Sequence, residues 1–411
     1  MFEGMSERID EVFKKGRKEL GWKYGKECVD VIKTPKRAFE VSFPVKTSKG
    51  TIVFQGWRVQ HNDALGPTKG GMRFHPQTNI DEVKSLAQLM SLKNSLMGLP
   101  YGGGKGGLRI NPKEFNKEDM EKISKAFARA LAPYIGERRD IPAPDVYTTP
   151  QTMAWFLDEY EAIKGISSPG TFTGKPIEIG GNLLRETATA LGGAFVLDEY
   201  MKATGMKKGT CAIHGFGNAG SFAAEFLSQR GFKVIGVADT KGGIVNEKGF
   251  KVKELIAVKN EKGSVVKSKE GKKVDGEDIL EMDADLLIPA ALEDSINSVN
   301  ASNVKANVIL ELANGPVTKD ADDVLNKNGI VVLPDILANG GGVTVSYFEW
   351  VQNLQGTWWT REKTEEELKN YMRRAFSIAY EYVKKGLDYR TACSAKAIER
   401  ILLAEKIRGR I

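Results

Sequence analysis

The sequence predicts an α/β fold whose C-terminal half is a Rossmann-like, doubly wound parallel sheet. Three observations carry this. From residue 211 onward, short apolar runs alternate with helical stretches, the pattern of parallel strands joined by crossover helices. The first run leads into Gly215-Phe216-Gly217-Asn218-Ala219-Gly220, a G-x-G-x-x-G sequence between a strand and a helix. Before it, Pro142, Pro144, Pro150, Pro169 and Pro176 punctuate the chain, which marks loops and a domain junction.

The elements follow in order. Val41, Phe43 and Val45 alternate, and Thr51-Ile52-Val53-Phe54 follows a Ser48-Lys49-Gly50 turn, so residues 41–61 have strand character. Residues 117–132 form an amphipathic helix. Asn116 is its N-cap with Asp119 three residues on, and Met120, Ile123, Phe127 and Leu131 make one apolar stripe for core packing. Cys211-Ala212-Ile213 is a strand, residues 221–229 a helix, and Lys233-Val234-Ile235-Gly236-Val237-Ala238 a second strand. Leu286-Leu287-Ile288, Val308-Ile309-Leu310 and Ile330-Val331-Val332-Leu333 repeat the strand signal. From about Ser346 the chain is mostly helical. Leu368, Met372, Phe376 and Tyr380 recur at helical spacing, and this segment is expected to lead back to the first domain.

Composition bounds the rest. The 411 residues suffice for two or three domains, and 41% hydrophobic with 27% charged residues fits a globular protein. No apolar run is long enough to span a bilayer, and residues 1–20 lack the apolar stretch of a secretory signal, so a cytoplasmic location is expected. Cys28, Cys211 and Cys393 are odd in number and far apart. His61, His75 and His214 do not pair at ligand spacing. Neither a disulfide framework nor a metal site is predicted. The net charge of +7 is spread along the chain, and its densest basic stretch, 267–273, is broken by Glu270. That distribution argues against nucleic acid and suits small anionic ligands.

The run Leu99-Pro100-Tyr101-Gly102-Gly103-Gly104-Lys105-Gly106-Gly107 sets one lysine among five glycines. Gly106 stands where a phosphate-binding P-loop needs Ser or Thr. Two readings remain: a solvated lysine on a flexible loop, or a lysine in a crevice whose pKa falls toward neutrality as it loses water. Lys69 lies in a second Gly-rich turn, Lys93 in Met90-Ser91-Leu92-Lys93-Asn94, and Asp145 in Pro142-Ala143-Pro144-Asp145-Val146. In the G-x-G-x-x-G run, Gly215 permits the tight turn, Gly217 the approach of a pyrophosphate, and Gly220 close helix packing. Asp239, 24 residues after Gly215, fits an acidic ribose ligand and favours NAD. Thr240 and Lys241 beside it can accept a 2′-phosphate, so NADP stays open.

The segments GPTKGGMRF, LMSLKNSLMGLPYGGGKGG, PAPDVYT, IHGFGNAG, ELANGP and LPDILANGGGVTVSYFEWVQN succeed one another between residues 66 and 353. With them the chain resembles the hexameric glutamate dehydrogenases of the Glu/Leu/Phe/Val amino-acid dehydrogenase superfamily. The resemblance implies a substrate-binding and oligomerisation domain (1–180, joined by C-terminal helices at about 385–411). It also implies a dinucleotide-binding domain (181–384, with hinge helices at about 346–384). Lys105 would polarise the substrate C2 oxygen, and Asp145 would shuttle protons. Lys93 would bind the α-carboxylate, Lys69 and Ser346 the γ-carboxylate, with Ala143 and Val343 completing the substrate pocket. Arg185 and Thr189 would lie near the nicotinamide carboxamide. Asn314 and Asn339 would contact the cofactor, as would Phe216, Asn218 and Ala219 with the three glycines. The implied activity is reversible NAD(P)-dependent deamination of L-glutamate to 2-oxoglutarate and ammonium, through a carbinolamine and an iminium, in a homohexamer without metal.

Leucine, valine and phenylalanine dehydrogenases are the near rivals. They carry apolar residues at the distal carboxylate positions, so Lys69 and Ser346 favour glutamate. A non-catalytic nucleotide-binding regulator would lack Lys105 or Asp145; both are present.

Overall fold

The computed structural model describes residues 2–411. Helices α1 (Phe2–Glu19) and α2 (Lys26–Lys33) precede the first sheet. Its strands are β1 (Arg37–Thr47), β2 (Gly50–Asn62), β3 (Thr68–His75), β4 (Gly102–Arg109) and β5 (Asp140–Pro144), in the spatial order β1-β2-β4-β3-β5. β1, β2 and β4 are antiparallel neighbours, whereas β3 runs parallel to both β4 and β5. Helix α3 (Ile80–Leu96) joins β3 to β4; α4 (Lys117–Leu131) and α5 (Pro150–Lys164) flank β5 in sequence. Phe43, Phe54, Phe74, Leu108, Phe127, Met153 and Phe156 fill the core between this sheet and α4 and α5. Asn116 caps α4 as its sequence requires, its side chain accepting from Asp119 N.

Helix α6 (Ala188–Thr204) opens the second half. Then come β6 (Thr210–His214), α7 (Asn218–Gln229), β7 (Lys233–Asp239), β8 (Gly242–Val245), α8 (Val252–Lys262), β9 (Lys272–Val274), β10 (Leu286–Pro289), β11 (Val308–Leu310), α9 (Lys319–Lys327) and β12 (Val331–Leu333). The sheet order is β12-β11-β10-β6-β7-β8-β9. The strands from β12 to β7 are parallel and the order reverses between β6 and β10, which opens a crevice at their carboxyl ends. The expectation of a wholly parallel sheet is corrected at one edge. There β8 and β9 run antiparallel, because Thr240-Lys241 turns the chain straight back on β7 ahead of Gly242 at φ +130°. Helices α10 (Asp335–Ala338), α11 (Gly341–Gln355), α12 (Arg361–Val383) and α13 (Tyr389–Ile407) complete the chain.

A second correction concerns β3, β4 and β5. The sequence reads their Gly- and Pro-rich segments as turns and loops, yet they are strands. The glycines of β4 serve packing rather than bending. A Cβ on Gly103 would lie 2.2 Å from Ser91 N and 2.4 Å from Ala87 O, and one on Gly107 2.4 Å from Thr78 Cγ2. Helix α3 thus lies directly on the backbone of β4 at Gly103. Pro142 and Pro144 are tolerated because β5 is an edge strand.

The chain crosses between the two halves through residues 172–188 and returns after α12. Helix α12 lies against α6, and α13 against α3. Ser95 Oγ donates to Ala397 O (2.7 Å), Arg400 Nη1 to Ser95 O (2.9 Å), and Asn62 Nδ2 to Glu405 Oε1 (2.7 Å). The C-terminal helix therefore rejoins the first domain.

His61 ties three elements there. Its Nε2–H donates to Ile32 O (3.0 Å), and its Nδ1 lies 2.8 Å from Ser91 Oγ. Burial lowers its pKa from 6.5 to about 4. Between those values the unfolded chain binds a proton that the folded chain refuses. Stability therefore falls as pH drops from 6.5 toward 4, by up to roughly 3 kcal/mol. Urea unfolding at pH 6.5 and 4.5 is expected to show a smaller loss for His61→Gln than for the parent protein.

Candidate active site

The ends of β3, β4 and β5 bring together the charged residues singled out by sequence. Lys105 Nζ on β4 lies 2.9 Å from Asp145 Oδ1, just beyond β5. Arg73 Nε on β3 holds the other carboxylate oxygen at 2.9 Å and also pairs with Glu82 in the first turn of α3. Thr148 fixes the Asp145 backbone: its Oγ1 accepts from Asp145 N (2.7 Å) and donates to Met72 O (2.8 Å). Lys105 is only 4% exposed. Burial lowers its pKa while the Asp145 carboxylate opposes the fall. Burial alone would raise the Asp145 pKa, but the charges and hydrogen bonds of Lys105 and Arg73 override it and hold the group well below the usual carboxylate range. The solvated-loop reading of Lys105 is thereby replaced by a buried ion pair.

Lys93, in the last turn of α3, reaches across the crevice. Its Nζ donates to Asn339 Oδ1 (2.6 Å) and Asn314 Oδ1 (3.0 Å). Asn339 Nδ2 in turn donates to Leu312 O (3.3 Å) and Ala313 O (3.1 Å). Burial lowers the Lys93 pKa. Residues expected to touch different ligands thus touch one another.

Lys69 on β3 is 1% exposed, and its ammonium makes no hydrogen bond or ion pair among the described residues. Burial first, then the charges of Arg185 and Arg58, push its pKa well down; Glu349 and Asp140 oppose this. Both carboxylates are already committed. Asp140 accepts from Arg58 Nε (2.8 Å) and Nη2 (2.5 Å) in a fully buried pair. Glu349 on α11 pairs with Lys175 (2.8 Å), again fully buried, and accepts from Gly174 N (2.8 Å). Ser346 lies one turn before Glu349, buried, with Val343 a turn earlier. Arg185 and Thr189 face the start of α11: a Cβ on Gly342 would meet Thr189 Oγ1 at 2.9 Å and Arg185 Nη1 at 3.5 Å. Arg185 Nε is buried without a hydrogen-bond partner among the described residues. Ala143 is buried on β5, opposite Gly71 of β3, and a Cβ on Gly71 would meet Asp145 Cβ at 2.7 Å.

The G-x-G-x-x-G loop leaves β6 as expected. Gly215 has φ +103° and a Cβ there would lie 2.6 Å from Ala291 N; one on Gly220 would meet Gly215 O at 1.8 Å. Helix α7 begins at Asn218, three residues earlier than expected, so Asn218, Ala219 and Gly220 form its first turn. Gly217 is the N-cap, offers no capping side chain, and a Cβ added there meets nothing within 4 Å. Open space before a free helix N-terminus fits a dinucleotide pyrophosphate.

Asp239 departs from its expected state. Its carboxylate, 4% exposed, already accepts four hydrogen bonds from its own chain.

The sequence reading missed Arg58, Arg73, Lys175 and Glu349. Arg73 and Glu349 stand inside motifs it quoted, but Asp145 and Lys175, which they hold, lie far off in the chain. Among the described residues, no three His, Cys, Asp or Glu side chains are grouped to hold a metal, and no helix is long and apolar enough to cross a membrane.

The Lys175–Glu349 pair fixes the first interdomain crossing to α11. Lys175→Met is expected to cost about 3–5 kcal/mol, because Glu349 is left buried and unpaired. The double change with Glu349→Met is expected to recover most of that. Urea unfolding of both variants checks it.

Comparison with known proteins places this architecture. The chain matches the model of the Glu/Leu/Phe/Val dehydrogenase dimerisation domain over residues 35–162, and that of Glutamate/Leucine/Phenylalanine/Valine dehydrogenase over residues 180–409. It is 43% identical over 402 residues to the catabolic NAD-specific glutamate dehydrogenase of Bacillus subtilis, covering 97% of this chain and 94% of that one. It is 45% identical over 389 residues to the NADP-specific glutamate dehydrogenase of Saccharolobus shibatae, covering 93% and 92%. The solved hetero-hexameric glutamate dehydrogenase of Thermus thermophilus shares its fold with a TM-score of 0.91 at 31% identity, covering 98% and 95%. With both halves matched and the lysine and glycine motifs in place, the chain belongs to the Glu/Leu/Phe/Val dehydrogenase family.

Proposed function

We infer that the protein is a glutamate dehydrogenase, catalysing the reversible NAD(P)-dependent deamination of L-glutamate to 2-oxoglutarate and ammonium. Within a family that also handles leucine, phenylalanine and valine, the observation that carries glutamate is Lys69. A buried ammonium without an anion is costly, and the distal carboxylate of a dicarboxylic substrate supplies the missing charge. An apolar side chain would leave the cost in place.

Other residues take their parts from position and charge. Lys93 exchanges its two asparagine acceptors for the substrate α-carboxylate, and Ser346 donates to the distal one. With both ends held, C2 is presented to Lys105. The Lys105 ammonium donates to the C2 oxygen, and the lowering of its pKa by burial eases the transfer of its proton. Asp145 is held ionised by Lys105 and Arg73. It gains proton affinity once the Lys105 charge is engaged by the oxygen that becomes leaving water, and can then take a proton from the incoming ammonia. A dinucleotide bound there would supply or accept the hydride. Gly215, Gly217 and the first turn of α7 would receive its pyrophosphate, with Arg185 and Thr189 toward the carboxamide. Which dinucleotide is preferred turns on Asp239, Thr240 and Lys241.

The same reading divides the chain into 1–180 with 385–411 and 181–384. It also carries a cytoplasmic homohexamer assembled through the first domain. The long outer strand β1 supports self-association, since its edge is unpaired in the single chain.

Oxidation of NADH or NADPH, followed by absorbance with ammonium present, is expected to be faster with 2-oxoglutarate than with 4-methyl-2-oxopentanoate. The reverse order would move the protein to the leucine branch. Lys69→Leu is expected to lower kcat/KM for 2-oxoglutarate about 30-fold or more and relatively favour the branched acid. Asp145→Asn is expected to reduce kcat about 100- to 10,000-fold while dinucleotide binding persists.

A further inference from the structure

We propose that the adenosine end of the cofactor site is built for a 2′-phosphate, read by Lys241, so that the enzyme prefers NADP to NAD. The proposal rests on the reading of the Gly215–Gly220 loop as a dinucleotide site. Gly215 N donates to Ala238 O (3.0 Å), which sets the fingerprint loop beside the end of β7, where Asp239 sits.

An acidic residue there selects NAD by accepting from the ribose hydroxyls and by repelling a phosphate. Asp239 is prepared for neither. One carboxylate oxygen accepts from Lys241 N (2.9 Å) and Ser264 Oγ (3.0 Å), the other from Lys259 Nζ (2.8 Å) and Val265 N (2.8 Å). A carboxylate has about four lone-pair sites, and all are taken. A ribose hydroxyl gains a place only by displacing one of these donors. The charge is likewise engaged: the Lys259 ion pair offsets the repulsion a phosphate would meet.

The rim carries a cation free to meet a phosphate. Lys241 is exposed, and its Nζ makes no ion pair or hydrogen bond among the described residues. Its backbone is pinned to Asp239, so the side chain leaves from a fixed point on the two-residue turn between β7 and β8. Exposed Thr240 adds a hydroxyl next to it. Glu277, on the segment packed over this turn, keeps an exposed carboxylate 3.5 Å from His214 Nε2, so Lys241 is the group on this rim suited to a phosphate and Glu277 is not. Asp239 thus serves as the strut that orients Lys259 and the Ser264-Val265 turn, and Lys241 is the specificity residue.

Calorimetric binding tests this without turnover. The intact protein is titrated with NADP⁺, NAD⁺, 2′,5′-ADP and 5′-AMP, alongside Lys241→Ala and Lys259→Met. NADP⁺ is expected to bind about tenfold or more tighter than NAD⁺, and 2′,5′-ADP tighter than 5′-AMP. Lys241→Ala is expected to lose most of that margin through weaker binding of the phosphorylated pair. Lys259→Met, which releases a charged Asp239, is expected to lower NADP⁺ affinity and raise that of NAD⁺. Tighter binding of NAD⁺ by the intact protein, or an undiminished margin in Lys241→Ala, overturns the proposal and leaves the dehydrogenase reading intact. If neither dinucleotide binds, both are overturned.

Discussion

The closeness with which helix α3 lies on strand β4 governs everything in the active centre. Contacts near 2.2 Å to a Cβ that is absent mean that no side chain larger than hydrogen can stand at Gly103. Each glycine weakens the strand by roughly 0.5–1 kcal/mol against alanine. The return is a helix and a strand separated by backbone alone. Asn94 on α3 donates to Gly102 O at 2.6 Å, locking the two together. Lys93 precedes that asparagine and Lys105 follows that glycine by three positions, so one close contact sets two functional amines. Lys69 enters the same arrangement through the pairing of β3 with β4, opposite Gly103.

Charge is then distributed so that each buried ion has a partner except where a ligand is wanted. Arg58 with Asp140 and Lys175 with Glu349 are closed pairs. Arg390 on α13 extends the pattern across the domain boundary. It donates to both oxygens of Glu311 (2.5 and 3.1 Å) and to Asp322 Oδ2 (2.8 Å). Glu311 also accepts from Asp335 N (2.7 Å), so the segments ending in Asn314 and Asn339 are held by one guanidinium. Such pairs contribute little net stability after desolvation, yet each is costly to break, which makes them devices of position.

The second sheet was the more legible half. Its strands are short β-branched runs with helices between them, so local pattern and tertiary role agree. The first sheet was hidden at its centre. β4 owes Gly103 to α3 and the other glycines of β3 and β4 owe theirs mostly to adjoining strands and loops, and β5 carries prolines that only an edge position permits; no local signal reports either circumstance. Lys105 and Asp145 were legible through their motifs. Arg73 stood in such a motif without its purpose being apparent, because its partner Asp145 lies beyond α3, β4, α4 and β5. Asp239 shows the opposite failure. Its place in the sequence was right for a ribose ligand, but its four donors come partly from residues 259–265, which the spacing rule does not consult.

The two crossings of the chain have a mechanical consequence. A body tethered at one point can turn about three axes; one tethered at two separated points keeps only the axis through them. Here the first tether is gripped by Glu349 at Gly174 and Lys175. The second ends at Asp388, which caps α13 and is held by Lys15 on α1 at 2.9 Å. Relative motion of the domains is thereby reduced toward a single angular coordinate. Any ligand that engages both lips of the crevice draws on that same coordinate. Two such ligands are then thermodynamically linked without sharing a contact, and each must alter the affinity of the other by the same factor.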